Sequence, residues 1–252
     1  MQHSGSILDT RGFVAVDPVD KLIVLSFRGS SSTENWIADF LFAQVPCDLG
    51  NGCLAHVGFY GSWAEVASRA IAAVKKAKAD NPSYKVVVTG HSLGGAVGTL
   101  AVAYVRRAGI AADLYTYGGP RVGNNAFVKY VTEQPGLEVR LTHAADPVPR
   151  LPPMIANYRH TSPEYWFDEG DDDIVSLNEV KVCTGYASLK CNAGTLGLET
   201  ADHGWYFQSL GGCSADATSS KARATLSHEE LEAKVNLLAE LDRQAAPSFQ
   251  DE

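Results

Sequence analysis

Short runs of β-branched and other apolar residues alternate along the chain with longer stretches in which apolar side chains return every three or four positions, and this alternation predicts a strand–helix repeat. Residues 14–16 and 21–27, separated by the Asp17-Pro18-Val19-Asp20 turn, read as two paired strands, the second nearly continuous in apolar residues as a central strand would be. Residues 31–42 place Trp36, Ile37, Phe40 and Leu41 at helical spacing, with Glu34, Asn35 and Asp39 on the other side, which predicts a short amphipathic helix. A long helix over 59–80 turns Trp63, Val66, Ala67, Ala70, Ile71 and Val74 inward and stops at Asn81-Pro82. A strand over 85–89 breaks into Gly90-His91-Ser92-Leu93-Gly94-Gly95, and a helix over 93–107 follows with Val97, Leu100, Ala101 and Tyr104 on one stripe. Strand 113–117, helix 124–132 and strand 138–143 continue the repeat. The fold class expected is α/β, with a central, largely parallel sheet and helices on both faces.

Beyond residue 143 the pattern loosens. Residues 146–153 are too rich in proline for regular structure, residues 164–167 and 179–183 read as late strands, and His203 leads a helical or turn-like Gly204-Trp205-Tyr206-Phe207. From Ser214 the composition shifts to Ala, Ser and Thr, a linker to the capping box Ser227-His228-Glu229-Glu230. The helix opened by that box carries Leu231, Val235, Leu238 and Leu241 along one side. The expected organisation is a main domain over 1–213 and a linker with a terminal amphipathic helix over 214–252.

At 252 residues the chain can bury a sizeable core, and no apolar run approaches the length of a membrane span. The net charge of −8, with both signs interspersed, argues against nucleic acid or strongly anionic membranes as partners. The acidic stretch from Asp168 to Asp173 lacks the spaced ligand pattern of a calcium loop and reads as solvated surface. Of five cysteines, Cys47 with Cys53 and Cys183 with Cys191 each close a short loop. Neither spacing suits zinc or redox chemistry, so two disulfides in an oxidising compartment are expected, with Cys213 left without an evident mate. Met1-Gln2-His3-Ser4-Gly5 has neither the basic start nor the apolar stretch of a secretory segment.

The chemistry begins at Gly90-His91-Ser92-Leu93-Gly94. A serine between two glycines, after a strand and before a helix, is the pattern of a nucleophile elbow, whose strained central residue needs small neighbours two positions away on each side. A serine hydroxyl alone is a poor nucleophile; it needs a histidine to take its proton and a carboxylate to hold that histidine. On sheets of this kind the three follow in the order serine, acid, histidine. Asp146 lies just past strand 138–143, where ligand-facing loops sit, whereas Asp113 falls at the wrong end of its strand. Among the later histidines, His228 opens the tail helix and His160 sits in a loop that could equally be structural, which makes His203 the better base. His91 and His143 flank the nucleophile and the acid, break the chain order, and read as packing residues. The backbone N–H of Leu93 would supply one oxyanion donor, and Ser30, ending Phe27-Arg28-Gly29-Ser30, is placed for the second.

Several blocks in register carry a resemblance. Leu22 to Ser30, Glu34-Asn35-Trp36-Ile37, Thr89 to Ala96, Tyr117 to Asn124, Asp146 to Pro153, Ser162 to Trp166 and His203 to Phe207 together resemble the fungal class 3 triacylglycerol lipases over residues 8–213. The resemblance implies an α/β-hydrolase fold with Ser92, Asp146 and His203 as the triad and Ser30 and Leu93 as oxyanion donors, with no metal or organic cofactor. It also implies a mobile lid at Trp36, Ile37, Phe40 and Leu41, which in water would cover the site with its apolar face and at a lipid–water interface would turn that face outward. Phe59 and Val148 stand at positions that would line the acyl groove or pack in the core. The activity implied is hydrolysis of triacylglycerols by a secreted enzyme. Feruloyl esterases of the same family are the alternative: their corresponding segment is more polar, but the Cys183 and Cys191 pair resembles theirs. A non-catalytic hydrolase-like binding protein is the alternative of another class. The family pattern starts earlier and includes a cysteine that pairs with the one matching Cys213, so an N-terminally shortened chain of reduced stability or activity is expected, from a misplaced start or truncation. The tail beyond Ser214 has no counterpart in the pattern.

Overall fold

The turn at residues 17–21 brings the first two long strands together, and the apolar run that follows becomes the middle of a sheet. The computed structural model describes residues 2–4, 10–30, 37–38, 41–168, 175–210 and 226–249. Strands β1 (Gln2–Ser4), β2 (Arg11–Asp17) and β3 (Leu22–Phe27) are followed by a small hairpin, β4 (Gln44–Pro46) and β5 (Leu54–His56). Helix α1 (Val57–Asp80), strand β6 (Lys85–His91), helix α2 (Leu93–Arg107), strand β7 (Ala112–Tyr117), helix α3 (Asn125–Glu133) and strand β8 (Glu138–His143) form the alternating centre. Strands β9 (Glu164–Phe167) and β10 (Lys181–Cys183), the one-turn helix α4 (Thr200–His203) and the tail helix α5 (His228–Ala245) complete the described elements.

The large sheet runs β1-β2-β3-β6-β7-β8-β9-β10. Strands β3, β6, β7, β8 and β9 are parallel to their neighbours, while β1, β2 and β10 join antiparallel. This is an α/β-hydrolase fold, a mostly parallel sheet with flanking helices. Parallel neighbours require crossovers, and α1, α2 and α3 supply them between β5 and β8. The β2–β3 turn is held by the Asp17 carboxylate, which accepts the N–H groups of Val19 and Asp20. Although β3 reads as continuously apolar, its burial alternates: Ile23, Leu25 and Phe27 enter the main core with residues of α1, α2 and α3, and Leu22, Val24 and Ser26 are half-buried.

Helix α2 departs from its one-stripe expectation. Every residue from Gly94 to Arg106 is buried, because the helix packs against α1, α3 and strands β3, β6 and β7 together. Arg106 is tolerated there because Glu138 pairs with it at 3.0 Å and the carbonyls of Ala112 and Val131 accept its other N–H groups. The late strand expected over 179–183 is shorter, β10 following a 3₁₀ turn at Leu177–Glu179. The proline-dense stretch contains the 3₁₀ turn Val148–Arg150, and a second, Met154–Ala156, follows it. The β4–β5 hairpin has no signal strong enough to expect it, and the disulfide Cys47–Cys53 closes its loop. Cys183 and Cys191 form the second disulfide.

Helix α5 starts where its capping box places it, with Ser227 Oγ accepting Glu230 N–H and the Glu230 carboxylate accepting Ser227 N–H. It docks by burying Leu231 and Val235 against Ile37, Val148, Leu151 and Leu198. Asp242 on the same helix is buried; its carboxylate pairs with Arg121 at 3.0 Å and accepts Ile155 N–H. Residues 169–173 of the acidic stretch, Cys213 and the linker up to residue 225 lie outside the described residues.

Candidate active site

The turn between β6 and α2 needs two glycines, and the backbone shows why. A Cβ on Gly90 would stand 2.2 Å from Gly94 O, and one on Gly94 would stand 2.2 Å from Phe27 O. Glycine at both positions lets β6 fold sharply onto α2 and lets α2 press against the end of β3. Ser92 between them has φ 57° and ψ −130°, outside the ordinary regions for a residue with a side chain, and its N–H is fixed by Tyr117 O at 2.9 Å. Leu93 opens α2, so its N–H belongs to the first turn and has no acceptor within the helix. Ser30 follows the end of β3 and is exposed, and Gly29 before it lies close enough that an added Cβ would meet Ser92 Cβ at 3.3 Å.

Asp146 and His203, far apart in sequence, meet beneath this turn. His203 Nδ1 lies 2.9 Å from Asp146 Oδ2 and 3.1 Å from Oδ1, with both side chains buried. Since a carboxylate only accepts, Nδ1 carries the proton and Nε2 is free to accept one. His203 Nε2 is buried and makes no hydrogen bond among the described residues, and Ser92 Oγ is not bonded to it in this resting arrangement. Such bonds are commonly long in unliganded sites and tighten with substrate.

The carboxylate has further partners. Tyr206 Oη donates to Asp146 Oδ2 at 2.7 Å, and Val148 N–H donates to Oδ1 at 2.9 Å. Burial pushes the Asp146 carboxyl up; the charge and hydrogen bond of His203, with the bonds from Tyr206 and Val148, outweigh it and hold the carboxyl below its ordinary value. Burial and the neighbouring Asp146 charge push the Tyr206 phenol far upward, so it stays a donor. Gly118 forms the floor: at φ +56°, a Cβ there would meet Asp146 Oδ2 at 2.8 Å, Tyr206 Oη at 2.9 Å and His203 Nδ1 at 3.1 Å.

The loop that carries Asp146 is held by partners from several segments. Asn192 Nδ2 donates to the carbonyls of Ala144 and Asp146, Arg150 donates to Ala145 O, and the Asp202 carboxylate accepts Ala145 N–H. His143 stacks on Phe167 with centroids 4.8 Å apart and bonds Asp202 O, and His160 is buried with Nε2 on Pro149 O. Both side chains are engaged in these contacts. Neither the part played by Tyr206 nor that of Asn192 was anticipated from the sequence. For Tyr206 the available signal was its place three residues after His203 in an aromatic cluster; for Asn192 there was none.

The remaining expected site residues are spread around this centre. Phe59 is buried in the main core with its ring 4.2 Å from that of His56. Val148 is fully buried beside Ile37, Leu151 and the α5 residues Leu231 and Val235. Of the expected lid, Ile37 is buried and helical with Ala38, Leu41 is 69% exposed, and Trp36 and Phe40 lie outside the described residues. Lys234 of α5 reaches the carbonyls of Ile37 and Ala38, and His56 Nε2 bonds Leu41 O at 2.6 Å.

The fold is that of an α/β-hydrolase, and comparison with known sequences narrows the class to ester-hydrolysing lipases: residues 24–156 match the family Lipase (class 3), and the chain belongs to that family. It is 50% identical over 245 residues to a secreted mono- and diacylglycerol lipase 1 of Fusarium solani, covering 95% of this chain and 73% of that protein. It is 46% identical over 206 residues to secreted mono- and diacylglycerol lipase A of Penicillium cyclopium, covering 80% of this chain and 67% of that protein. Among solved structures it is similar to the mono- and diacylglycerol lipase from Aspergillus oryzae, with a TM-score of 0.79 and 43% identity over 83% of this chain and 80% of that one.

Proposed function

We propose that this chain is a secreted acylglycerol lipase that works by acyl transfer through Ser92, His203 and Asp146. The observation that carries the reading is the buried pair of His203 Nδ1 and the Asp146 carboxylate beside a serine held at φ 57° on a strand-to-helix turn. Ser92 Oγ attacks the ester carbonyl as its proton passes to His203 Nε2, and the imidazolium formed is stabilised by Asp146. The negative oxygen rests on the N–H groups of Leu93 and Ser30, at the positive end of α2. The intermediate collapses, His203 returns the proton to the departing alcohol, and water activated by the same imidazole releases the fatty acid from Ser92. None of these steps calls for a metal or organic cofactor.

Two findings support acylglycerols as the substrate class. The segment at 36–41 carries Trp36, Ile37, Phe40 and Leu41, an apolar set suited to a lid that opens at a lipid–water interface. The named relatives are mono- and diacylglycerol lipases, which favours partial glycerides over the triacylglycerols expected from the sequence pattern. Two disulfides and relatives named as secreted support an extracellular site of action. The test is hydrolysis of emulsified mono-, di- and triacylglycerols of one chain length alongside methyl ferulate, with Ser92→Ala as control. Release of fatty acid from mono- and diacylglycerol, abolished by Ser92→Ala together with labelling by a serine-directed organophosphonate, is the expected result. Preference for ferulate, or activity that survives Ser92→Ala, overturns the proposal.

A further inference from the structure

The four-residue helix α4, which ends at His203, is too short to hold its own direction, and its last carbonyls find few N–H donors within it. It is held by partners from elsewhere. Ala145 N–H bonds the Asp202 carboxylate and His143 Nδ1 bonds Asp202 O, both from the loop side that carries the acid. On the side of the nucleophile, His91 Nε2 lies 2.8 Å from His203 O, a bond that spans 112 residues of sequence. The carbonyl accepts, so His91 Nε2 carries the proton.

We infer that His91, the residue immediately before the nucleophile, is a positioning residue for the base: its Nε2–H fixes the backbone of His203 and its ring backs the His203 imidazole. The inference rests on the triad reading given above and adds a residue to it. His91 is the last residue of β6, paired across the sheet with Tyr117, so the donor sits on a rigid element. Its ring lies 4.4 Å from the His203 ring at 36°, and 5.7 Å from that of Tyr206. On its other side it abuts the turn that leads to Ser30, where an added Cβ on Gly29 would stand 3.0 Å from His91 O and 3.7 Å from His91 Nδ1. One side chain thus ties the elbow to the base. A neutral ring suits the place. The base must take up a proton a ring's width away, and burial, with repulsion from the His203 ring when that ring is charged, pushes His91 down to about 4 against the opposing effects of the Asp146 charge and of the bond to His203 O. A lysine or arginine at 91 would instead set a permanent charge against the imidazolium formed in the reaction.

The experiment compares His91→Gln with His91→Met. The two side chains match in length and differ in that only glutamine can donate to His203 O. Turnover of a soluble short-chain ester is measured per active site titrated with organophosphonate, so that misfolded molecules do not enter kcat. The methionine variant is expected to lose about tenfold in kcat with KM within about twofold, and the glutamine variant to recover most of the loss. Equal kcat in the two variants overturns the inference, as does a methionine variant that turns over like the wild type. Ser92→Ala separates the two levels: if it retains activity the triad reading fails, and if it is inactive while Gln and Met behave alike only the role of His91 fails.

Discussion

Replacing Tyr206 with phenylalanine removes one oxygen atom from the site and little else, because the ring is packed among Phe167, Leu141 and Tyr117 and stays there. The hydroxyl donates to a carboxylate with no exposed surface, so the bond lost is charge-assisted and worth about 1.5–3 kcal/mol. Its loss lifts the Asp146 carboxyl from its lowered value, because one of the bonds that hold it down is gone. Two consequences follow with definite sign. A carboxyl held low in the folded chain contributes stability that is present above its unfolded value and lost as pH falls through the folded one. In Tyr206→Phe that contribution is smaller and its loss is complete at a higher pH, so the acid-unfolding midpoint rises. The less satisfied carboxylate also attracts the imidazolium of the reaction more strongly, which moves the acid limb of kcat/KM to higher pH. Among the described residues the side chain of Asp146 is then oriented by His203 and Val148, and plateau kcat falls by about three- to tenfold. The acid limb and the plateau come from a pH–rate series on a soluble ester, and the unfolding midpoint from a pH titration of tryptophan fluorescence. An acid limb that stays in place or moves down, with unchanged plateau, refutes the assignment of Tyr206 to the carboxylate.

Gly118→Ala forces a methyl into the space between Asp146, Tyr206 and His203 at a backbone angle that alanine avoids, and kcat is expected to drop at least about 100-fold; near-normal turnover in a steady-state assay would contradict the site geometry. Asp242→Asn strands the buried Arg121 guanidinium, whose remaining acceptors are the carbonyls of Arg150 and Pro152, and is expected to cost about 3–5 kcal/mol in urea unfolding. The double change Arg121→Met with Asp242→Leu should recover most of that loss, and a single variant that loses under about 1 kcal/mol would remove the ion pair from the account of how α5 docks.

Local patterns made the centre of the fold legible. Alternating apolar runs with turn signals between them placed β8, β9 and α2 at their observed limits, because strand and helix periods are local properties of the backbone. The same pattern misjudged how much of α2 is buried: its sequence shows one apolar stripe, and the full enclosure comes from neighbours on several sides that no local window contains. The glycines at 90 and 94 marked the elbow for a local reason too, since they stand two residues from Ser92 on either side. Asp242 illustrates the opposite case. On an amphipathic helix an acidic residue reads as surface, and only docking against Arg121 makes it interior. Tyr206 and Asn192 likewise have no meaning until Asp146 is set beside them.

The amino-acid order, then, determined the elements, the strained turn at Ser92 and, through chain order, the candidates Asp146 and His203, all from information carried within a few residues or by position after a strand. Tertiary structure alone decided that Nδ1 of His203 faces the Asp146 carboxylate, that Tyr206 shares that carboxylate, that Gly118 leaves room for all three and that α5 covers Val148 and Ile37. The physical reason is range: backbone preference acts between neighbours, whereas burial, hydrogen bonding and charge act between groups that folding brings together from distant parts of the chain.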